Sequence, residues 1–520
     1  MTIRAWRHGA RLGILAAALS LSAAHAAVTI SSDATTNMTC SGGVCAPTAA
    51  DAILNAGDLE TLLASGSVTV TTTGAGVQAS DIVVAAPVSW STGNTLGLDA
   101  YDSVAVDAVV SIAGRGGVTV QTNGGTGTLS FGKKDAFRFA NLASTVVVNG
   151  VSFMLVNSVR SLAAAIAANP RGAFALANNY NAAKDGTYEF APVLTFFGGE
   201  FEGLGNAIAN LTIATKDNAV GGIYKFVGLF SYSRGEIDNI DLENENVSAT
   251  RHGNTVGGLV AFNMGTISGS SVSGKVAGGD DQNVSFAEVG GLVGDNYGTI
   301  ASSHVKATVT GNSNVFVGGL VGKLELVGTI LNSSATGDVS VGGVNTAAGG
   351  LVGVDAGAIS ASFASGHISG GKGAAGGGLV GLADQIWFIN NSYATGAVTA
   401  SGNSSIVIGG FVGYDGGGND GTYNINDCYA SGAVSASNQS ALGGFAGYVF
   451  TDNTIANAYW DTTTSGTDTG VGGGFSTGIT GLTTAQLQSG LPAGFDPSVW
   501  AENPNINGGL PYLIANPPPS

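Results

Sequence analysis

The chain is 520 residues long, with 84 glycines, 11 prolines, 10% charged residues and 44% hydrophobic residues. These proportions exclude a disordered chain, which carries many charges and few β-branched residues, and the lack of a Gly-X-Y period excludes collagen. With 18 basic against 35 acidic residues the net charge is −17, a balance that repels nucleic acid and anionic lipid head groups.

Residues 1–26 read as a signal peptide. Arg4, Arg7 and Arg11 form a basic start, Leu12 to Ala24 an apolar stretch, and Ala24-His25-Ala26 a small-residue cleavage site. Its removal leaves 15 basic against 35 acidic residues, or −20. No later stretch offers about 20 consecutive apolar residues, and no run of amphipathic strands suggests an outer-membrane barrel. The expectation is an exported protein, extracellular or on the outer cell surface with the periplasm as the alternative, anchored by something other than itself.

Residues 27–64 form an N-terminal segment containing CSGGVC, in which Cys40 and Cys45 are candidates for a local disulfide. Cys428 is left over as a small buried side chain. Residues 65–225 alternate apolar and polar in short runs such as SVTVTTT and SVAVDAVVSI, as strands of earlier, less regular coils of one solenoid would. SVRSLAAAIAAN breaks that pattern and predicts a short helix near 158–168, ended before Pro170.

Residues 226–457 hold eight repeats. A GGLVG-type phrase recurs with its second glycine at positions 228, 258, 291, 319, 350, 378, 410 and 444. Each copy is followed by a lone isoleucine (Ile237, Ile267, Ile300, Ile330, Ile359, Ile389, Ile425, Ile455) and a stretch such as NSYATGAVT. Each repeat therefore predicts two or three short strands joined by tight turns, with Asn, Asp and Gly at positive-φ positions. Units of about 30 residues cannot bury an apolar face alone, so they stack. Leu259, Leu292, Leu320, Leu351, Leu379, Phe411 and Phe445 would make one inward ladder and the isoleucines a second. Eight coils at about 4.8 Å give a rod of about 40 Å, whereas a β-propeller needs longer blades. Residues 458–520 read as a C-terminal cap with a proline-rich tail.

The GGLVG…GTI…NSYATG phrases resemble the GLUG motif of bacterial filamentous haemagglutinin-type surface proteins. APVSWSTGNTLGLDA, GAFALANNYNAA and FAPVLTFFGGEFEGLGNAIANLTI are similar to segments that precede such repeats, and AYWDTTTSG to the segment that closes them. The resemblance implies an all-β, right-handed parallel β-helix and an adhesin-like role as a rigid binding or spacer module, with surface glycans or proteins as partners. NPNL- and NPNG-type secretion phrases are missing.

The rival functions are a polysaccharide-active β-helical enzyme and a passive coat component. An enzyme needs carboxylates from neighbouring coils gathered on one face. The densest acidic run carries Glu236, Asp238, Asp241, Glu243 and Glu245, and with Ile237, Ile240 and Leu242 inward these acids read as a solvated face. The GGDDQN turn at Gly278 and DGGGNDG at Asp415 read as ordinary turns, not Ca²⁺ loops. His8, His25, His252, His304 and His367 are scattered, so no metal or triad is expected. Trp387, Phe388, Tyr393, Tyr414, Tyr423, Tyr429, Tyr448, Tyr459 and Trp460 concentrate in the last repeats, as fillers of wider coils or as a sugar-stacking surface. No catalytic, metal or cofactor residue is assigned, and no enzyme is expected.

Overall fold

The computed structural model describes residues 26–123, 127–215, 225–249, 254–279, 286–371, 374–384, 388–401, 406–416, 424–437, 441–450 and 454–519. The expected signal segment lies outside them apart from Ala26. The described chain is almost entirely short parallel strands stacked coil on coil, a parallel β-solenoid.

The expected single run of coils is instead two stacks. The first has three strands per coil. Ile82 pairs with Val104 and Val104 with Leu129 on one face, Val88, Val110 and Phe137 align on a second, and Leu96, Val118 and Val146 on a third. Alternation decides which side chains enter: Ile82, Val84, Leu96, Leu98, Val118 and Val120 are buried, while Asp81, Val83, Thr95, Asp99, Thr119 and Gln121 between and beside them are half-buried or exposed. At its start lies helix Ala56–Ser65, whose N-cap Asn55 accepts from the Gly57 and Asp58 amides and whose Leu59 and Leu63 are buried.

The stacks meet at a reversal. Val146–Val148 pairs antiparallel with Val151–Val156 across Asn149 and Gly150, both at positive φ, the signature of a two-residue hairpin. Strand direction flips there, and Val151–Val156 then pairs parallel with Ala173–Leu176 to begin the second stack. Helix Val159–Ala168 follows, held by a Ser158/Ser161 capping box with Val159, Leu162 and Ile166 buried, where the sequence places it.

Among the described residues, seven of the eight repeats of the second stack have four or five strands rather than two or three, and the last has three. One coil runs Thr255–Gly257, Val260–Asn263, Thr266–Ser268 and Ser271–Ala277, and two sheets of eight strands record the eight coils. The extra strand boundary falls inside GGLVG: the first glycine ends one strand, Gly-Leu turns the corner, and valine opens the next. All seven residues of the Leu/Phe ladder are fully buried, and so are the eight isoleucines to within 8%.

The corner two residues after each isoleucine is left-handed: Asn239, Gly269, Ser302, Asn332, Ala361, Asn391, Asp427 and Asn457 all have φ between 46° and 56°. Asparagine, aspartate and glycine take this conformation at low cost, whereas serine and alanine are strained there. Exposed Ser302 (φ 46°) is a correctable site. Ser302→Asn is expected to raise stability by about 1 kcal/mol, read as a shift in urea midpoint at constant slope.

The next residue forms a buried ladder. The backbone N–H of Ser270, Ser303, Ser333 and Ser362 donates to the hydroxyl one coil on, at 3.1–3.3 Å. Each hydroxyl donates to the carbonyl two residues back in its own coil. Cys428 occupies the same position, buried, with its thiol on the Asn426 carbonyl. Ser333→Ala leaves the buried Ser303 amide without an acceptor and is expected to cost about 1–3 kcal/mol. Cys428→Ser restores the repeat's own residue and is expected to change the unfolding midpoint little.

The expected cap is a rung plus a strap. Ile479–Leu482 pairs parallel with Ala458–Asp461 as one more rung. Beyond it the chain turns back along the side of the stack, laying Leu487, Phe495, Trp500 and Leu513 over the stacked rings of Phe363, Tyr393 and Tyr429 and over Tyr459. Trp500 donates to Asn391 (3.0 Å), Tyr429 to the Pro511 carbonyl (2.7 Å), and Asn516 to the Ser333 and Ala361 carbonyls.

Candidate functional site

The acidic run departs from the expected solvated face. Ile237, Ile240 and Leu242 do point inward, but of the acids only Glu236 and Glu243 are exposed. Asp238 pairs in register with Glu202 of the preceding coil, and Glu236 with Glu200. Glu202 is 6% exposed and accepts from the Leu204 amide (2.9 Å) and the Asn239 side chain (3.3 Å). Asp238 accepts from the Ser268 hydroxyl at 2.5 Å. Asn239 also reaches the Leu129 carbonyl of the first stack, so the junction between stacks covers the acids. Burial, reinforced at Glu202 by the charge of Asp238, raises both carboxyls well above their ordinary range.

Glu245 departs further. A bulge between Leu242 and Glu245 breaks the pairing with the next coil, and the shifted register turns Glu245 inward. It is 1% exposed, neither oxygen has a hydrogen-bond partner, and burial raises its carboxyl well above the usual range. Carboxylates of neighbouring coils therefore do gather, the arrangement a sugar-cleaving site requires. Of these acids Glu202 and Glu245 are buried and Glu200 and Asp238 half-buried, which leaves Glu236 as the exposed member of the two pairs.

The same bulge opens a cleft on the outer surface, of about 710 Å³. Along its floor Thr187, Thr212, Asn246 and Lys275 align in register over four successive coils. Beside them runs an amide chain: Asn244 donates to Asn210 (2.7 Å) and Asn210 to Asn181 (3.1 Å). Asn210 and Asn244 hold positive φ, which asparagine tolerates. Gly274, at φ 126°, leaves room for the bulge, since a Cβ there would lie 2.2 Å from the Glu245 carbonyl. Neither asparagines nor threonines of this kind stood out in the sequence, because strands carry them everywhere. What marks these is their shared register.

A second charged group lies at the Gly-Leu corner. Thr255 donates to Glu288 (2.9 Å), and Lys323 pairs with Glu325 at 2.5 Å. Asp295, 8% exposed with one oxygen unpartnered, is pushed up to about 8 by burial and then by the charges of Glu288 and Glu325.

Among the described residues, most of the aromatic candidates are buried or stacked on one another. Tyr393, Tyr429 and Tyr459 lie under the strap and Trp460 is 5% exposed. Tyr414 and Tyr448 are half-buried and stack on each other at 5.6 Å. Phe388 is exposed, and Trp387 and Tyr423 lie outside the described residues. Tyr232, Phe262 and Tyr297 also stack ring on ring at 4.8 and 5.2 Å, with Phe196 against Tyr232, so both faces of Phe262 are occupied. His304 and His367 sit against Ser334 and Thr399 respectively. His8, His25, His252 and most of the two acidic turns fall outside the described residues, and Asp415 is buried. Cys40 and Cys45 are bonded to each other across hairpin Met38–Ser41/Val44–Pro47. Among the described residues no three His, Cys, Asp or Glu side chains gather as a metal set, and no helix is long and apolar enough to cross a membrane.

No family model and no curated protein matches the chain. Among the solved structures similar to it are two that span about two thirds of the chain. One is from Bacteroides ovatus and described as a candidate immunoglobulin A1 protease. It aligns over 70% of this chain and 93% of its own, at 18% identity and a TM-score of 0.42. The other, an IgA1 protease, aligns over 67% of this chain at 20% identity and a TM-score of 0.39, and the match spans 26% of that protein.

Proposed function

We propose that the chain is an exported, adhesin-like surface protein of the filamentous haemagglutinin type, a rigid β-helical module that presents a binding surface and carries out no catalysis. The observation that supports this reading is the cleft across four coils, whose floor is amides, hydroxyls and one ammonium on a fixed scaffold. Such a surface can hold a ligand by many hydrogen bonds with little ordering cost. The polysaccharide-cleaving alternative draws on the Glu202–Asp238 pair, but those acids are bonded and covered where the two stacks meet. Residues 27–520, applied to immobilised glycans and to whole cells, are expected to bind a subset of them and to release no reducing sugar. Turnover of any polysaccharide, lost in Glu202→Gln, would replace the adhesin reading with the enzymatic one.

A further inference from the structure

We infer that the outer cleft of the second stack is a binding site for a linear, neutral glycan strand lying along the solenoid axis. The inference rests on the binding-module reading and gives it a location and a ligand class. Thr187, Thr212, Asn246 and Lys275 belong to four consecutive coils in register, so three steps of about 4.8 Å spread them over about 14 Å. A ligand meeting all four is extended and repetitive.

Among the described residues, the side chains of Thr187, Asn246 and Lys275 make no hydrogen bond within the chain, and all three are exposed. The amide chain leaves its members with spare capacity. Asn210 spends one N–H and one carbonyl lone pair on its neighbours, and a primary amide has two of each. The floor thus offers donors and acceptors together, which matches hydroxyls that are themselves both. An aliphatic chain would leave these groups unpaired, and an anionic polymer would approach a chain of net charge −17 against its field. The bulge makes the cleft specific to this place: it turns Glu245 in, tips Asn244 out, and occurs in this stack where Gly274 admits it.

The test is direct binding of residues 27–520 to a panel of soluble neutral hexasaccharides (linear α- and β-linked glucose, mannose, galactose and xylose), with oligogalacturonate as the acidic counterpart. At least one neutral hexasaccharide is expected to bind, at least tenfold more tightly than its disaccharide. The triple variant Thr187→Ala/Asn246→Ala/Lys275→Ala is expected to lose at least tenfold in affinity at an unchanged melting temperature. Parental affinity in the triple variant, preference for oligogalacturonate, or no binding to any neutral hexasaccharide each overturns the site. If the chain still binds cells or glycans while the triple variant behaves as the parent, the module reading stands and the cleft assignment falls. If it binds neither, both fall.

Discussion

Gly350→Ala is expected to destabilise the second stack by at least about 3 kcal/mol, enough to depress soluble yield. A Cβ at Gly350 would lie 2.1 Å from the Gly378 carbonyl oxygen and 2.8 Å from the Ala364 Cβ. The first is backbone of the adjacent coil and cannot rotate away. The same clash recurs at Gly291, Gly319, Gly378 and Gly410, each against the next corner at 2.0–2.2 Å. These corners need glycine for approach, not for φ, because none of them is left-handed. Relief would require the coils to separate, breaking ladder hydrogen bonds and opening the Leu ladder beneath. Gly93→Ala is the control: nothing lies within 4 Å of its Cβ position, and the change is expected to be neutral or stabilising by up to about 1 kcal/mol. Urea unfolding of the two variants decides the matter, and equal midpoints would show that coil spacing is not set by the corner glycines.

Stability is expected to fall as pH rises from 5 to 9. Asp295 and Asp355 titrate at about 8 in the folded chain, burial being the main cause for each, and Glu202, Asp238 and Glu245 are raised as well. In the unfolded chain these groups ionise near pH 4. Below that pH both states hold the protons and nothing is lost. Between about 4 and 8 the unfolded state releases protons that the folded state keeps, so stability declines continuously. Each buried group acting over several pH units contributes on the order of a few kcal/mol, and Asp295 and Asp355 are mostly ionised by about pH 9. Asp355 isolates the effect. It is fully buried, one oxygen accepts from the Gly357 amide (2.9 Å), and the other has no partner. Asn263 and Asn296 fill the equivalent corner of earlier coils and bond each other there. Asp355→Asn is expected to stabilise by about 2–4 kcal/mol at pH 8.5 and by far less at pH 4.5. A melting temperature that stays level from pH 5 to 9, in parent and variant alike, would contradict the burial of these carboxyls.

The repeat and its two inward ladders were legible because they recur: a leucine or phenylalanine every 28–34 residues and an isoleucine every 29–36 mark the same two points of each coil. The fourth strand was hidden because Gly-Gly-Leu-Val reads as a turn, whereas a corner this tight lets strands begin and end inside the phrase. The reversal at Asn149–Gly150 was readable, since Asn-Gly between valine runs is a hairpin signal, and so was helix Ala56–Ser65 behind its Asn55 cap. Both were masked by the assumption of one continuous solenoid. The acids show a deeper limit. Alternation correctly sent Ile237, Ile240 and Leu242 inward, but one bulged residue inverts everything after it, so Glu245 went in. Asn239, which donates to buried Glu202, is also held by the Leu129 carbonyl 110 residues upstream, a contact that no local pattern announces. The aromatic strip likewise depends on a strap that only long-range packing reveals, and the cleft exists through register alone.

That strap also sets how the molecule would respond to load. It runs from the last rung back to the coil holding Ser333, where Asn516 fastens it. A pull applied beyond Asn516 would strip its anchors singly, first Asn516, then Tyr429, then Trp500, before any coil felt tension. Contacts peeled in sequence yield at lower force than the same contacts sheared together, so the aromatic strip beneath would be uncovered while the solenoid still held its shape.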